Sequence, residues 1–340
     1  MKISIIDFLS GSAPILDVRA PSEFDQGHIP GAHSFPLFTD AERAEIGTIY
    51  KRHGQKPAIK KGLELVGPKM VNFIQQAEQF NTDFFRMYCW RGGMRSGSLS
   101  WLLESYGFKI QVLEGGYKAY RGSLHEFFDQ KRNLMVLTGN TGCGKTRVLH
   151  QMAALGAQVI DLEGLANHQG SSFGNQKTTG QPTTEMFQNS LYELSRKMDQ
   201  DKHIWVEDES ICIGQVHLPE RLFDAMQDSP HVLLEKDVDE RVALLMEDYS
   251  ELPPERLVEA TQVIGKKLGY DLAEIAKSAI RRGELREAAK IILKYYDKMY
   301  AKSIARKSQN IVRRIYGSGL PDREIAKKIK ELYEYQTDGI

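Results

Sequence analysis

Gly139, Asn140, Thr141, Gly142, Cys143, Gly144, Lys145 and Thr146 stand in the pattern G-x-x-x-x-G-K-T. Glycines let successive backbone N–H groups turn inward around an anion, and the lysine adds a point charge. A following helix contributes the positive end of its dipole, and the last hydroxyl can bind Mg²⁺. The context agrees, because an apolar strand is predicted over residues 134–138 and a helix over 146–154. Such a loop recognises a pyrophosphate-like anion, and nothing in its residues requires a nucleoside. Cys143 reads as a small filler inside it.

A second apolar run, from His203 to Val206, ends in Glu207, Asp208 and Glu209, as a metal-polarising strand does. Glu207 or Asp208 is expected to face Mg²⁺ beside Thr146. Asp161 and Glu163 close the preceding strand near the same sheet edge, and Arg241 opens a helix after Glu235, where an anion clamp would sit. Asp161, Glu207, Asp208 and Arg241 therefore join the loop as candidate ligand-binding residues.

The other reactive candidate is Cys89, in Tyr88-Cys89-Trp90-Arg91-Gly92-Gly93-Met94-Arg95-Ser96, again between an apolar strand (84–88) and a helix (96–106). Inward-turned amides, a helix N-terminus and the guanidinium groups of Arg91 and Arg95 all lower a thiol pKa and hold a bound anion or a persulfide-type adduct. Cys89, Arg91 and Arg95 are the candidate catalytic residues. A buried strand-end cysteine is the alternative, but Gly92-Gly93 flanked by arginines has no packing rationale.

These loops need strands to aim them. Short apolar runs at 15–18, 84–88 and 110–113 alternate with helical stretches at 67–80 and 96–106, which predicts an α/β unit with a parallel sheet. The polar segment 121–133 closes it, and α/β alternation resumes with strands at 134–138, 158–161, 204–207 and 231–235. After Leu252 the pattern is helical, as at 285–305, with no strand expected. The 340 residues thus read as three parts, 1–130, 131–255 and 256–340, and exceed the length at which one core usually stops growing. The polar loop from His168 to Gly174 follows the Asp161 strand and is placed to line a substrate pocket.

At 41% hydrophobic and 26% charged residues the composition is that of an ordinary globular protein. Three cysteines with no C-x-x-C spacing argue against a disulfide framework or a zinc site. The first twenty residues lack the order of a signal peptide, and no apolar run approaches membrane length, so a cytoplasmic protein without membrane contact is expected. The net charge is zero, yet residues 276–330 hold sixteen Lys and Arg against five Asp and Glu. Arg281, Arg282, Arg286, Lys290, Lys294, Lys298 and Lys302 recur at close helical spacing with Tyr295, Tyr296, Tyr300 and Tyr316 among them. That mixture suits nucleic acid, charge for phosphate and rings for unpaired bases, although lysine-rich solvated faces over buried tyrosines are also common.

Pro14 to Arg19, Glu23-Phe24, Gly27-His28-Ile29-Pro30-Gly31-Ala32, the Cys89 loop and Leu113-Glu114-Gly115-Gly116-Tyr117 together resemble the rhodanese fold over roughly residues 4–127. In that family Asp17, Arg19 and His28 would be scaffold. One departure is that five residues separate Cys89 from Arg95, where single-domain rhodaneses commonly have four. The wider loop is closer to that of Cys-x5-Arg phosphatases, though Tyr88 replaces their usual histidine. Phosphate-ester hydrolysis and acceptance of a chalcogen from a phosphate-bearing donor both follow.

A rhodanese-like domain fused to a GNTGCGKT domain with a basic helical tail resembles the bacterial tRNA 2-selenouridine synthase family across essentially the whole chain. That resemblance implies a tRNA substrate bearing 2-thiouridine at the wobble position. Its sulfur would be alkylated from geranyl diphosphate and then replaced by selenium from selenophosphate, taken up on Cys89 as a selenopersulfide. Selenophosphate and geranyl diphosphate would be co-substrates, a selenophosphate-producing enzyme a partner, and Mg²⁺ an aid to the diphosphate. Two rivals stand beside it: a thiosulfate-type sulfurtransferase fused to an ATP-dependent kinase-like domain, and a non-catalytic rhodanese docking module.

Overall fold

The computed structural model describes residues 1–168, 180–249 and 252–334. The chain divides into two compact units, Met1–Phe127 and Phe128–Ile340. Of the predicted pocket-lining loop, residues 169–174 lie outside the described residues.

In the first unit the strands are β1 (Lys2–Ile3), β2 (Ile15–Asp17), β3 (Ala32–Ser34), β4 (Phe84–Tyr88) and β5 (Lys109–Leu113). They form one parallel sheet in the order β1-β5-β4-β2-β3. β4 lies in the middle, so helices must cover both its faces, and its Phe85, Met87 and Tyr88 are fully buried. Phe35, Phe73, Phe85, Leu99 and Leu103 share one core with Cys89 at its edge. A helical hairpin, Asp40–His53 and Gln55–Val66, is inserted between β3 and β4. It opens on a capping box in which Thr39 and Glu42 satisfy each other's backbone N–H groups.

The second unit holds β6 (Leu134–Thr138), β7 (Gln158–Ile160), β8 (Ile204–Glu207), β9 (Cys212–Ile213), β10 (Val216–His217), β11 (His231–Glu235) and β12 (Ile311–Tyr316). Five of them form a parallel sheet in the order β12-β11-β6-β8-β7, and β9 and β10 pair as a short antiparallel ribbon. β6 is again central and fully buried. Helices Pro254–Leu268, Tyr270–Arg281 and Leu285–Arg306 pack through their own apolar cluster.

The helical reading of the C-terminal stretch needs one correction, because β12 returns there to the main sheet. Its sequence, IVRRIY, carries two arginines where a central strand would carry apolar residues. On a sheet edge only one face need be buried, so the strand lacks the continuous apolar run by which β6 or β11 is recognised. After it, helix Asp322–Glu334 places Ile325 and Ile329 in the same core as Val148 and Met152 of the helix that follows the Gly-rich loop.

Candidate active sites

Cys89 follows β4 directly, and its Sγ lies 3.2 Å from the Ser96 hydroxyl, on the first turn of helix Met94–Tyr106. Burial pushes the thiol pKa up, but the Ser96 hydroxyl and the backbone amides of Ser96, Arg91 and Gly93 outweigh it and hold the pKa below the ordinary value. The loop is braced from beneath: Tyr117 N–H donates to the Cys89 carbonyl at 2.8 Å and Lys118 N–H to the Trp90 carbonyl at 2.9 Å. This close approach requires glycine. A Cβ on Gly116, with φ of 62°, would stand 2.2 Å from the Cys89 carbonyl oxygen.

The two arginines differ. Arg91 is exposed, whereas Arg95 is bound to Glu23 at 2.6 Å, a partner that its distance in sequence conceals. The rest of the N-terminal motif is scaffold. Arg19 is buried, paired with Asp17 at 2.6 Å, donates to the Gly27 carbonyl at 2.6 Å and lies 3.8 Å over the Tyr117 ring. His28 stacks on Phe24 with its Nδ1 3.0 Å from the Phe24 carbonyl.

In the second unit the Gly-rich loop leaves β6 and enters helix Lys145–Ala154 through Gly144 in the left-handed region. Lys145 Nζ donates to the Gly139 carbonyl at 2.9 Å and lies 5.4 Å from the centre of the Tyr300 ring. Burial works against its charge, but Tyr300, Cys143, Glu209 and Glu207 more than offset this and raise its pKa. Cys143 is buried in the core beside Gly139, which suits a filler.

Glu163, Glu207 and Glu209 bring carboxylate oxygens within 4.8 Å of one another. The Thr146 hydroxyl donates within this group, 3.0 Å from Glu207 and 3.2 Å from Glu163. Burial first, and then mutual repulsion among the acids, raises the pKa of Glu163 and of Glu209. Glu207 is also raised, with burial again the largest cause and the charge of Asp161 adding to it. Converging oxygen donors around a hydroxyl, with more acid than adjacent base, are the donor set that a hard divalent cation takes.

The structure brings Thr146 and Glu207 together and places three other candidates elsewhere. Asp208 turns to the opposite side of the strand end, where it accepts from Thr138 at 2.6 Å and pairs with Lys307; successive strand residues face opposite ways. Asp161 caps helix Leu162–Ala166 by accepting from Gly164 N–H and lies 2.7 Å from His150 Nε2. Arg241 is buried, paired with Asp297 at 2.6 Å, and donates to the Thr141 carbonyl at 2.8 Å. It braces the phosphate loop from behind, and its guanidinium is committed to Asp297. Glu163 and Glu209 take the places expected of Asp161 and Asp208. Their signal was an acid two residues beyond another acid at a strand end.

The basic candidates divide between two helices, Arg281 and Arg282 at the end of Tyr270–Arg281 and the rest on Leu285–Arg306. Arg282 pairs with Glu284 and Lys290 with Asp239, while Arg281, Arg286, Lys294, Lys298 and Lys302 are exposed. Their interleaved tyrosines are engaged elsewhere. Tyr295 and Tyr296 pack on the helical cluster, Tyr300 covers Lys145, and the Tyr316 hydroxyl donates to Asp237 at 2.6 Å.

Residues 132–319 match the family described as tRNA 2-selenouridine synthase AAA domain, and residues 6–123 match the rhodanese-like domain. Among curated proteins, the tRNA 2-selenouridine synthase of Shewanella frigidimarina is 39% identical over 269 residues, 76% of this chain and 70% of that one. Those of Psychromonas ingrahamii and Shewanella pealeana are 33% and 36% identical, each covering 88% of this chain, and 90% and 91% of their own lengths. No helix among the described residues is long and apolar enough to cross a membrane.

The Ser96 contact sets the first prediction. Ser96→Ala is expected to move the pH midpoint of Cys89 alkylation by iodoacetamide upward, followed on the Cys89 peptide by mass spectrometry. An unchanged midpoint would show that the loop amides alone hold the thiolate.

Proposed function

The chain belongs to the tRNA 2-selenouridine synthase family, and we propose from that premise that it converts 2-thiouridine in tRNA to 2-selenouridine through an S-geranyl intermediate. The carrying observation is that one chain holds two built anion cradles, one around a stabilised thiol and one around a lysine, a hydroxyl and three carboxylates.

Sulfur held as a thiocarbonyl leaves a pyrimidine carbon poorly, whereas an S-alkyl group leaves as a thiol. In the first step the thiouridine sulfur attacks C1 of geranyl diphosphate, a C–S bond forms, the C–O bond breaks and diphosphate departs. Charge grows on that leaving group, and Lys145 with the amides of residues 139–146 lies where it can be stabilised. Thr146, Glu163, Glu207 and Glu209 would hold Mg²⁺, which when bound neutralises diphosphate charge.

In the second step selenium must enter as selenide. A selenopersulfide on Cys89 would require removal of two electrons, and neither selenophosphate nor the geranylated base accepts them. Cys89 therefore carries no selenium in this reading. The Cys89 thiolate attacks phosphorus, the P–Se bond breaks and hydroselenide departs. It adds to C2 of the base, the C2–S bond breaks and geranylthiol leaves, while water hydrolyses the S–P bond to phosphate. Every atom keeps its oxidation level. The five-residue spacing from Cys89 to Arg95, that of loops which hold a phosphate, and the Ser96 hydroxyl 3.2 Å from the thiol support this route.

Purified protein given geranyl diphosphate and a 2-thiouridine tRNA, with ATP omitted, is expected to yield the S-geranyl nucleoside, and selenophosphate then the selenonucleoside. Lys145→Ala should lower the first step by about 10²–10³, and Cys89→Ser should leave it intact while abolishing the second. Absence of geranyl product without ATP would sink the proposal.

Attack at phosphorus is tested separately with radiophosphorus-labelled selenophosphate and rapid quenching. Label on the Cys89 peptide is expected; a selenium adduct without label would overturn that route.

For tRNA we propose the exposed face of helix Leu285–Arg306. Replacing Lys294, Lys298 and Lys302 with glutamine should weaken tRNA binding and flatten the slope of log K against log salt by about two to three units. An unchanged slope would remove this face as the contact.

A further inference from the structure

Beside the phosphate cradle the second unit contains a cleft of different character. Its walls are the apolar sides of three C-terminal helices and the end of helix Val238–Tyr249, and it is narrow, with a cavity volume of about 60 Å³. Leu245, Tyr249, Ile280, Ala289 and Ile292 are among its lining. Thr141, Leu245, Tyr249 and Tyr296 line both this cleft and the cavity that contains Lys145, Thr146, Glu163 and Glu209. The cleft therefore adjoins the cradle, with these four residues on the boundary between them.

We infer that this cleft holds the hydrocarbon chain of the diphosphate donor, so that the donor lies with its head on Lys145 and its tail among the C-terminal helices. The inference rests on the function proposed above and assigns the part of the donor site that the Gly-rich loop leaves open. The chemistry of the lining favours an alkyl group over a nucleoside. Thr141, Tyr249 and Tyr296 bring its only side-chain polar atoms among the lining residues, whereas a base and ribose need several placed donors and acceptors.

Helix Leu285–Arg306 also supplies a ruler. Tyr300 covers Lys145, Tyr296 lines both spaces, and Ile292, Ala289 and Leu285 line the cleft alone, successively further along the helix from Lys145 on the same face. From Tyr296 to Ala289 the helix rises about 10 Å, the reach of a ten-carbon allylic chain, and Leu285 lies about 6 Å further. A five-carbon chain would end short of Ala289, and a fifteen-carbon chain would meet Leu285.

The test measures binding of inorganic pyrophosphate and of dimethylallyl, geranyl and farnesyl diphosphates, with Mg²⁺, to the full chain. Wild type is expected to bind geranyl diphosphate at least tenfold more tightly than dimethylallyl diphosphate. Ala289→Phe fills the cleft and should cost geranyl diphosphate at least tenfold while pyrophosphate and dimethylallyl diphosphate stay within about twofold. Leu285→Ala deepens it and should shift preference severalfold toward farnesyl diphosphate. Retained pyrophosphate binding reports folding, and if Ala289→Phe does not fold, Leu285→Ala decides alone. Wild-type selectivity ratios in the folded variants, with geranyl transfer intact, would overturn the cleft and leave the proposed function standing. Failure of wild type to distinguish geranyl diphosphate from pyrophosphate, with no transfer, would remove both.

Discussion

The second unit is organised around one buried ammonium group facing three carboxylates. Lys145 comes from the helix after β6, Glu163 from beyond β7, Glu207 and Glu209 from the end of β8, and Tyr300 from a helix more than 150 residues away in the chain. Three strands of the sheet, β6, β7 and β8, thus deliver the charged members, and a shift of any one of them would leave a charge poorly matched. The upward displacement of the glutamate pKa values shows what the arrangement lacks. More negative charge is gathered than one lysine balances, an imbalance that a hard divalent cation would relieve.

Parallel sheets carry the same logic into the first unit. When all strands run one way, their carboxyl ends share an edge, and the loops leaving the central strands emerge side by side. Cys89 leaves β4 there, and the phosphate loop leaves β6 at the equivalent place in its own sheet. Both turns are so tight that backbone meets backbone. A Cβ on Gly139 would stand 2.4 Å from the Leu234 carbonyl oxygen, as one on Gly116 would strike that of Cys89. The glycines therefore do more than free the chain; they let a neighbouring strand or turn support the loop while its amides remain turned toward the anion.

This explains what could be read from the sequence. The loops are contiguous, their chemistry repeats within eight or nine residues, and their strands are buried on both faces, so composition alone marks them. The choice among neighbouring acids was not legible. Whether Glu207 or Asp208 faces the cradle depends on strand pleat and on Lys307, a partner 99 residues away. Arg241 looked like an anion clamp because its position is right, but Asp297, 56 residues on, claims its guanidinium. β12 was hidden for a related reason: an edge strand needs only one apolar side, and its arginines match the basic tail around it. Pairing across long sequence separation decides all three cases, and local pattern carries no record of it.

Helix Leu285–Arg306 gathers these threads. Its inner face presents Ala289, Ile292 and Tyr296 to the apolar cleft and Tyr300 to Lys145, while Lys294, Lys298 and Lys302 point to solvent. A helix spacing of four residues turns slightly further than one turn, so the lysines wind gradually around the side away from the buried stripe. Of the tyrosines expected to stack on bases, Tyr296 and Tyr300 belong to the inner face, and the Tyr316 hydroxyl on β12 donates to Asp237. If base stacking does not hold the tRNA here, phosphate contacts must, and such contacts fix position without reading sequence. Under the proposed function, recognition of the 2-thiouridine would then fall to the cradle itself: an allylic carbon on the diphosphate would accept the soft thiocarbonyl sulfur and gain little from an ordinary uridine oxygen. On this account the helix sets where the tRNA lies, and the chemistry of the donor selects which base reacts.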